Sequence, residues 1–244
     1  MRIQTFSQWA VVLIVIVAAG PARADTILWY NGDLAANGGG TVNEQTTNGG
    51  SFNIYDDFNV AGAAGWNIDR VWSNNSMQFT GVTQAAWSIR SGMSVGNGGT
   101  VIASGTSSAT QTPTGLSNPS LGFLDYTIQV TGLNVTLAPG VYWLSVSPLV
   151  GADPTVTSGG IFRSYNSRTD GTNAVGTPPG NDMNSFFNSS FLGYNYAPAF
   201  GNDFSMGVAG TQVAAVPEPA SITAFGIGAA CLVGYFLRRR KRFT

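Results

Sequence analysis

The chain has 244 residues, of which 9% are charged, and it contains 11 Lys plus Arg, 12 Asp plus Glu, one Cys and no His. The absence of histidine removes the imidazole base, the Ser-His and Cys-His pairs and His-ligated zinc from the chemistry open to this protein. The formal net charge of −1 conceals an uneven distribution, which divides the chain into two ends and a central segment.

The N-terminal residues 1–24 have the pattern of a secretory signal peptide. Arg2 precedes an apolar run at residues 9–19, which is too short to cross the hydrocarbon core, since a spanning helix needs roughly 20 residues. The residues at the expected cleavage site are Ala22, Ala24 and Asp25. An uncleaved membrane anchor is the alternative, but the short run and the break at Pro21 favour removal by signal peptidase and export.

The C-terminal residues 216–244 combine a proline hinge, an apolar segment and a basic end. Pro217, Glu218 and Pro219 come directly before residues 220–237, which carry no charge. Because proline cannot continue a helix inward, a transmembrane helix is predicted over 220–237. The cationic residues after it predict a stop-transfer signal that stays on the cytoplasmic side. These residues are Arg238, Arg239, Arg240, Lys241 and Arg242.

This C-terminal segment resembles the PEP-CTERM sorting signal of Gram-negative bacteria, through the Pro217-Glu218-Pro219 tripeptide, the apolar segment and the Arg-rich end. The resemblance implies recognition by exosortase, a membrane-embedded cysteine transpeptidase or protease, with cleavage near the tripeptide. It also implies transient anchoring in the inner membrane, followed by release to the cell surface or the exopolysaccharide and biofilm matrix. A plain single-pass anchor would explain the helix and the cations but not the tripeptide.

The same C-terminal motif is also known as an ice-binding protein C-terminal domain. Ice binding needs a flat and regularly spaced array of threonines. The threonines of this chain at positions 106, 110, 112 and 114 do not continue such a spacing through a repeated scaffold. The threonine spacing therefore does not favour ice binding.

The ectodomain at residues 25–215 carries four cationic and eleven anionic side chains, a net charge of −7, and contains neither lysine nor cysteine. Such an acidic surface repels phosphate backbones, which disfavours nucleic-acid binding. Export without disulfides requires stability from an ordinary hydrophobic core. A chain of ~190 residues is long enough to bury roughly 70% of its unfolded surface in one.

An all-β fold, a sandwich or jelly roll, is predicted for this ectodomain. Its aromatic and β-branched residues are punctuated by Gly, Asn and Pro, and no helical 3.6-residue stripe of useful length appears. Tyr126, Ile128 and Val130 alternate with polar residues, as in a strand with one buried face.

One β-hairpin is predicted most clearly, with strands at residues 135–137 and 141–146. Pro139 presets a turn position between them and Gly140 accepts a positive φ. Further strands are predicted at residues 51–55, 65–71, 85–90, 100–104 and 204–208. Residues 151–201 are expected to form a long excursion packed onto the same domain.

No catalytic residues are predicted. The segment from Gly92 to Gly96 matches the G-x-S-x-G pattern of hydrolases, but its serine has no histidine base and no helix follows it, so a turn is predicted. A glycosidase needs only two carboxylates and is the one enzyme class left open. Adjacent Asp56 and Asp57 would, however, point to opposite faces of a strand.

Two binding hypotheses remain for the ectodomain. Asp33, Asp56 and Asp57 are candidate ligands for a structural calcium ion, which takes oxygen ligands, although turn formation explains such residues better. No other cofactor is indicated. The aromatic residues placed in loops are candidates for stacking on sugar rings. They are Trp29, Tyr194 and Tyr196.

The sequence therefore predicts an exported, exosortase-processed protein with a structural or adhesive role linked to exopolysaccharide, not an enzyme. The alternative is a carbohydrate-binding module, followed by a carboxylate-dependent glycosidase. Its expected partners are signal peptidase, exosortase and matrix polysaccharide, with no nucleic acid among them.

Overall fold

A computed structural model describes residues 26–46, 50–62, 64–151, 164–176, 182–199 and 201–213. The signal peptide and its cleavage site, together with the sorting tripeptide, the 220–237 helix and the basic end, lie outside these ranges. Within them the chain is all-β, without helix, which confirms the predicted class.

Fourteen strands build the described part of the chain. The first seven are β1 (Thr26–Tyr30), β2 (Gly40–Val42), β3 (Glu44–Thr46), β4 (Ser51–Val60), β5 (Trp66–Met77), β6 (Gln84–Ser91) and β7 (Thr100–Asn118). The other seven are β8 (Phe123–Leu137), β9 (Gly140–Val150), β10 (Ser164–Thr169), β11 (Phe186–Ser189), β12 (Tyr194–Pro198), β13 (Asp203–Phe204) and β14 (Met206–Gln212).

All fourteen strands belong to one large, mostly antiparallel sheet. Its main path runs β1-β14-β5-β8-β7-β6-β9-β3-β4-β11-β12, and β10 joins β2 and β13 to the end of β5. The pairing of β3 with β9 is parallel. A direct pairing of β9 with β4 closes the path on one side.

The long strand β7 connects two halves of this sheet. Its residues 100–108 pair with β6, and most of its residues from 109 to 118 pair with β8. We call β1, β14, β5 and β8 the first half, and β6, β9, β4, β3, β11 and β12 the second half. Hydrogen bonding is thus continuous, whereas a simple sandwich would have two separate sheets.

The two halves pack face to face around a common core. Trp29 of the first half stacks on Phe58 of the second with ring centroids 5.4 Å apart. The Ser73 hydroxyl of β5 donates to the Val146 carbonyl of β9 at 2.7 Å. The largest fully buried side chains are Trp29, Phe58, Phe204, Ile54, Ile68, Ile89, Ile128, Leu137, Leu144, Met206, Val60 and Val71. Each such side chain contributes about 1.5–3 kcal/mol on burial.

The predicted hairpin around Pro139 is wrong in its pairing. The two strands and the reversal lie where expected, since β8 ends at Leu137 and β9 begins at Gly140. However, β8 pairs with β5 and β7, whereas β9 pairs with β3, β4 and β6. The connection therefore crosses from one half to the other. The pairing was mispredicted because local turn chemistry fixes a chain reversal but not the partner of each strand.

Candidate functional site

An open groove with a volume of about 370 Å³ lies on the outer face of the second half. Small side chains on three neighbouring strands form its floor. Ser145 of β9 lies opposite Ser88 of β6, and Ser88 lies opposite Ser104 of β7. Ala86 and Thr106 form the adjacent row. Because none of these side chains is large, the sheet surface here is concave.

One wall of the groove consists of Arg90 packed against two tyrosine rings that also contact each other. The guanidinium carbon lies 5.4 Å from the ring centroid of Tyr55 and 5.4 Å from that of Tyr196. The two rings are 5.8 Å apart at an interplanar angle of 55°. Each cation–π contact contributes about 0.5–2 kcal/mol. The three side chains therefore stabilise one another as a unit, which we call the Tyr-Arg-Tyr wall.

The turn between β6 and β7 holds this wall in place. Arg90 Nη1 donates to the Gly98 carbonyl at 2.9 Å, and the Gly96 amide donates to the Tyr196 carbonyl at 3.1 Å. Asn195 Nδ2 donates to the Gly96 carbonyl at 3.1 Å. The G-x-S-x-G segment is thus a turn, as predicted, and this turn positions two groove residues.

The backbone of Tyr196 adopts the left-handed conformation, with φ at +46°. This region is uncommon for residues other than glycine and costs of order 1–3 kcal/mol. Its ring lies directly against Gly98, where an added Cβ would come within 2.3 Å of Tyr196 Cζ. The fold therefore accepts backbone strain to place this tyrosine over the glycine and beside Arg90.

Amide side chains extend the groove away from this wall. The residues are Gln45, Asn53 and Asn188. Asn188 of β11 lies opposite Asn53 of β4, and Gln45 Nε2 donates to Asn53 Oδ1 at 3.3 Å. Each amide offers both donors and an acceptor. The groove therefore joins an aromatic, cationic end to a polar end.

Two serines of the floor have spare hydrogen-bonding capacity. Ser88 is 9% exposed and Ser145 is 3% exposed. Neither hydroxyl oxygen has a hydrogen-bond partner within the described part of the chain. A buried hydroxyl without a partner costs about 1–3 kcal/mol.

Of the three predicted stacking residues, only Tyr196 lines the groove. Tyr194 is 43% exposed, but its ring packs on Phe187 at 5.3 Å and is not a groove residue. Trp29 is fully buried in the core, so its prediction as an exposed platform is wrong. The register shift between Ile27 and Trp29 in β1 turns its side chain inward.

Asp56 and Asp57 lie next to each other on β4 and have different surroundings, as the strand alternation predicts. Asp56 Oδ2 accepts from Asn31 Nδ2 at 3.0 Å and from the Phe204 amide at 2.5 Å. Complete burial raises the pKa of Asp56 well above its usual range, and the nearby Asp203 raises it further. This carboxyl therefore ties three distant segments together in the interior.

Asp57 is 5% exposed and accepts from Asn184 Nδ2 at 3.0 Å. Burial, followed by repulsion from Asp182, raises the pKa of Asp57 to about 7. Asp33 has other partners, the Tyr30 hydroxyl at 2.6 Å and Asn173 Nδ2 at 2.7 Å. Within the described ranges, no three acidic side chains are grouped so as to hold a metal ion. The calcium hypothesis for Asp33, Asp56 and Asp57 thus gains no support.

The side chains that line the groove include no Asp or Glu from the described residues. A glycosidase needs an acid and a second carboxylate on either side of the scissile bond. The described lining of the groove therefore offers no such pair. Tyr55 and Arg90, which sequence reasoning missed, lie on strands, and only their pairing across the sheet brings them together.

No helix long and apolar enough to cross a membrane occurs in the portion of the chain that the structure describes. The predicted span at 220–237 lies outside that portion.

Comparison with known proteins identifies the C-terminus. The family description "PEP-CTERM protein-sorting motif" matches residues 215–241. No curated protein and no solved structure matches the chain. The matched motif indicates export and anchoring at the membrane for processing before surface release. The chain is therefore an exported protein that carries a PEP-CTERM sorting signal and is targeted by exosortase.

Proposed function

We propose that the β domain is a non-enzymatic adhesive protein of the cell surface or extracellular matrix of a Gram-negative bacterium, and that it holds exopolysaccharide in the groove of the second half. The observation that carries this proposal is the Tyr-Arg-Tyr wall beside a floor of small side chains. Sugar rings present apolar faces that pack on aromatic side chains and hydroxyl groups that need donors and acceptors. The groove supplies both.

The size and exposure of the groove support this use. A volume of about 370 Å³ falls in the range of ~300–1,000 Å³ that is common for small-molecule sites. The groove is open to solvent, which suits an internal segment of a polymer. The lining is mostly polar, with Tyr55 and Tyr196 at one end and Trp87 on β6 as a further aromatic residue.

The sorting signal supports the same proposal because it directs the protein to the cell surface. Polysaccharides are among the polymers present at a bacterial cell surface. The acidic ectodomain, with its net charge of −7, disfavours nucleic acid as an alternative polymer. The absence of a carboxylate pair from the described groove favours retention of the polysaccharide over its hydrolysis.

Two tyrosines of β12 provide a matched test of the proposal. Tyr196→Ala removes a ring of the Tyr-Arg-Tyr wall, whereas Tyr194→Ala removes a partly exposed ring of the same strand outside the groove. We expect the full-length chain, purified in detergent, to be retained by immobilised polysaccharide. The Tyr196→Ala variant should bind about tenfold more weakly, which corresponds to ~1.4 kcal/mol.

The Tyr194→Ala variant should bind like the wild type, and both variants should show a cooperative melting transition. Affinity electrophoresis against a panel of neutral and acidic polysaccharides measures the retention. Failure of the wild type to bind any polysaccharide of the panel would refute the proposed function. An equal loss in both variants would place the binding site elsewhere.

A further inference from the structure

Arg90 is the only cationic side chain that lines the groove among the described residues. It is half-buried, and no carboxylate lies beside it in the lining. It contacts two tyrosine rings and the Gly98 carbonyl, and it also forms a side-chain hydrogen bond with Tyr55. Its Nε has no hydrogen-bond partner in the described part of the chain. The positive charge of this side chain is therefore held at the groove without a neutralising anion.

This arrangement is unusual for its setting, because the ectodomain has eleven anionic and only four cationic side chains. Anionic side chains are thus abundant in the domain, yet none of the described ones lines the groove. A half-buried guanidinium also interacts more strongly with an approaching anion than a fully solvated one, because the effective dielectric constant is lower there. The groove is consequently a local site for an anionic ligand on an acidic protein.

The chemistry of the guanidinium group narrows the class of anionic ligand further. Arginine presents planar N–H groups in a fork that matches a carboxylate through two parallel hydrogen bonds. The hydrogen bond from Nη1 to the Gly98 carbonyl and the contacts with the rings of Tyr55 and Tyr196 orient this fork. The amides at the other end of the groove suit hydroxyl groups, which both donate and accept hydrogen bonds.

We propose that the groove selects a carboxylate-bearing sugar, a uronate unit of an acidic polysaccharide, and that Arg90 binds its carboxylate. This inference rests on the proposed function and adds the class of ligand to it. The ring of the sugar packs against Tyr196, and its hydroxyl groups face the amides of Gln45 and Asn53. Arg90 is a specificity-determining residue in this account.

The test compares acidic polymers with their neutral methyl esters, which keep the same sugar rings. The full-length chain in detergent is titrated with polygalacturonate, alginate and hyaluronate, each beside its ester, at an ionic strength of 0.15 M. We expect at least one acid to bind ten or more times more tightly than its ester. Raising the salt to 0.5 M should weaken binding of that acid and leave binding of the ester nearly unchanged, because salt screens the ionic contact.

Arg90→Gln should abolish the preference for the acid. Arg70→Gln is the matched control, because Arg70 lies on the outer face of the first half with its guanidinium carbon 5.7 Å from the Trp72 ring centroid. This control removes the same charge and a similar cation–π contact, and it should keep the preference. If Arg90→Gln does not fold, Arg90→Lys keeps the charge but loses the planar fork, and it should lower the acid-to-ester ratio severalfold.

Equal binding of every acid and its ester would overturn the inference while leaving the proposed function intact. Equal, Arg90-dependent binding of a sulfated polymer such as dextran sulfate would overturn the preference for carboxylate. Loss of the preference in Arg70→Gln as well would show a general charge effect and would also overturn the inference. Absence of binding to all neutral and acidic polysaccharides would refute the proposed function itself.

Discussion

Asp57 shows how strongly burial changes a single carboxyl group in this domain. Its pKa is raised to about 7, first by burial and then by Asp182. Its Oδ1 atom is buried without a hydrogen-bond partner in the described part of the chain. Asp56 and Asp125 are shifted in the same direction, again mainly by burial. The native protein therefore binds protons at pH values where an unfolded chain has released them.

The stability of the domain should fall as the pH rises from 5 to 7. The unfolded pKa of aspartate is about 3.9, so in this window native Asp57 holds a proton that the unfolded chain lacks. Asp57 then lowers the free energy of unfolding by up to ~1.4 kcal/mol per pH unit, and its effect levels off above its folded pKa. Urea unfolding at pH 5, 6, 7 and 8 measures this slope.

Asp57→Asn isolates the contribution of this residue. The variant keeps an oxygen that can accept from Asn184 and removes the titrating proton. We expect a shallower slope between pH 5 and 7 and a variant more stable than the wild type at pH 8. Asp56 and Asp125, whose pKa values are also raised mainly by burial, contribute to the slope in the same direction. An unchanged slope in Asp57→Asn would show that Asp57 does not titrate in this window.

Of the residues that form the Tyr-Arg-Tyr wall, the sequence predicted Tyr196 and missed Arg90 and Tyr55. Tyr196 was predicted as an aromatic residue of a loop, although the structure places it in β12. Arg90 was missed because it is a single charge in a strand, and nothing in the local pattern shows that Tyr55 lies beside it. Trp29 was misplaced because it was assigned to a loop, whereas it lies in the short strand β1 with its side chain buried in the core.

Several strands at one end of the domain are held together by buried polar side chains instead of apolar ones. Asn43 lies between β2 and β3 and is fully buried. Its Nδ2 donates to Asn75 Oδ1 at 3.0 Å and to the Val146 carbonyl at 2.8 Å. Its Oδ1 accepts from the Ser147 hydroxyl at 2.6 Å. One side chain thus links β5 and β9 across the two halves.

Asn43→Ala should destabilise the domain by about 2–4 kcal/mol, because it leaves the partners of the amide buried without hydrogen bonds. Asn59→Ala is the control, since Asn59 is an exposed residue of β4, and surface substitutions usually stay within about 0.5 kcal/mol. Urea unfolding of both variants measures the difference. Equal stability of the two variants would show that the buried network contributes nothing.

The strands themselves were only partly predictable. Sequence alternation located parts of β4, β5, β6 and β8, but it predicted only residues 100–104 of β7, which extends over Thr100–Asn118. Most of β7 is exposed and rich in Ser, Thr and Gly, so it lacks the apolar alternation that marks a half-buried strand. Buried asparagines such as Asn43 were hidden for a related reason, since asparagine is typical of turns.

At the scale of the whole molecule, the net charge of −1 results from opposite charges on segments with different fates. The basic end belongs to the sorting segment, whereas the ectodomain carries −7. The exported domain is therefore acidic overall. The groove differs from the rest of the domain because its described lining contains Arg90 and no carboxylate. The sorting signal directs the protein out of the cell. The groove is the site at which we propose that it binds polysaccharide.

The central claim, that polysaccharide binds in the groove of the second half, is tested most directly by mapping the bound ligand onto the two outer faces. Isotopically labelled protein is titrated with the oligosaccharide of the best-bound polymer, and amide chemical shifts are followed by NMR. We expect the shift changes to centre on Tyr55, Ser88, Arg90 and Tyr196. Changes centred on Trp72 and the outer face of the first half, with none at the groove, would contradict the account.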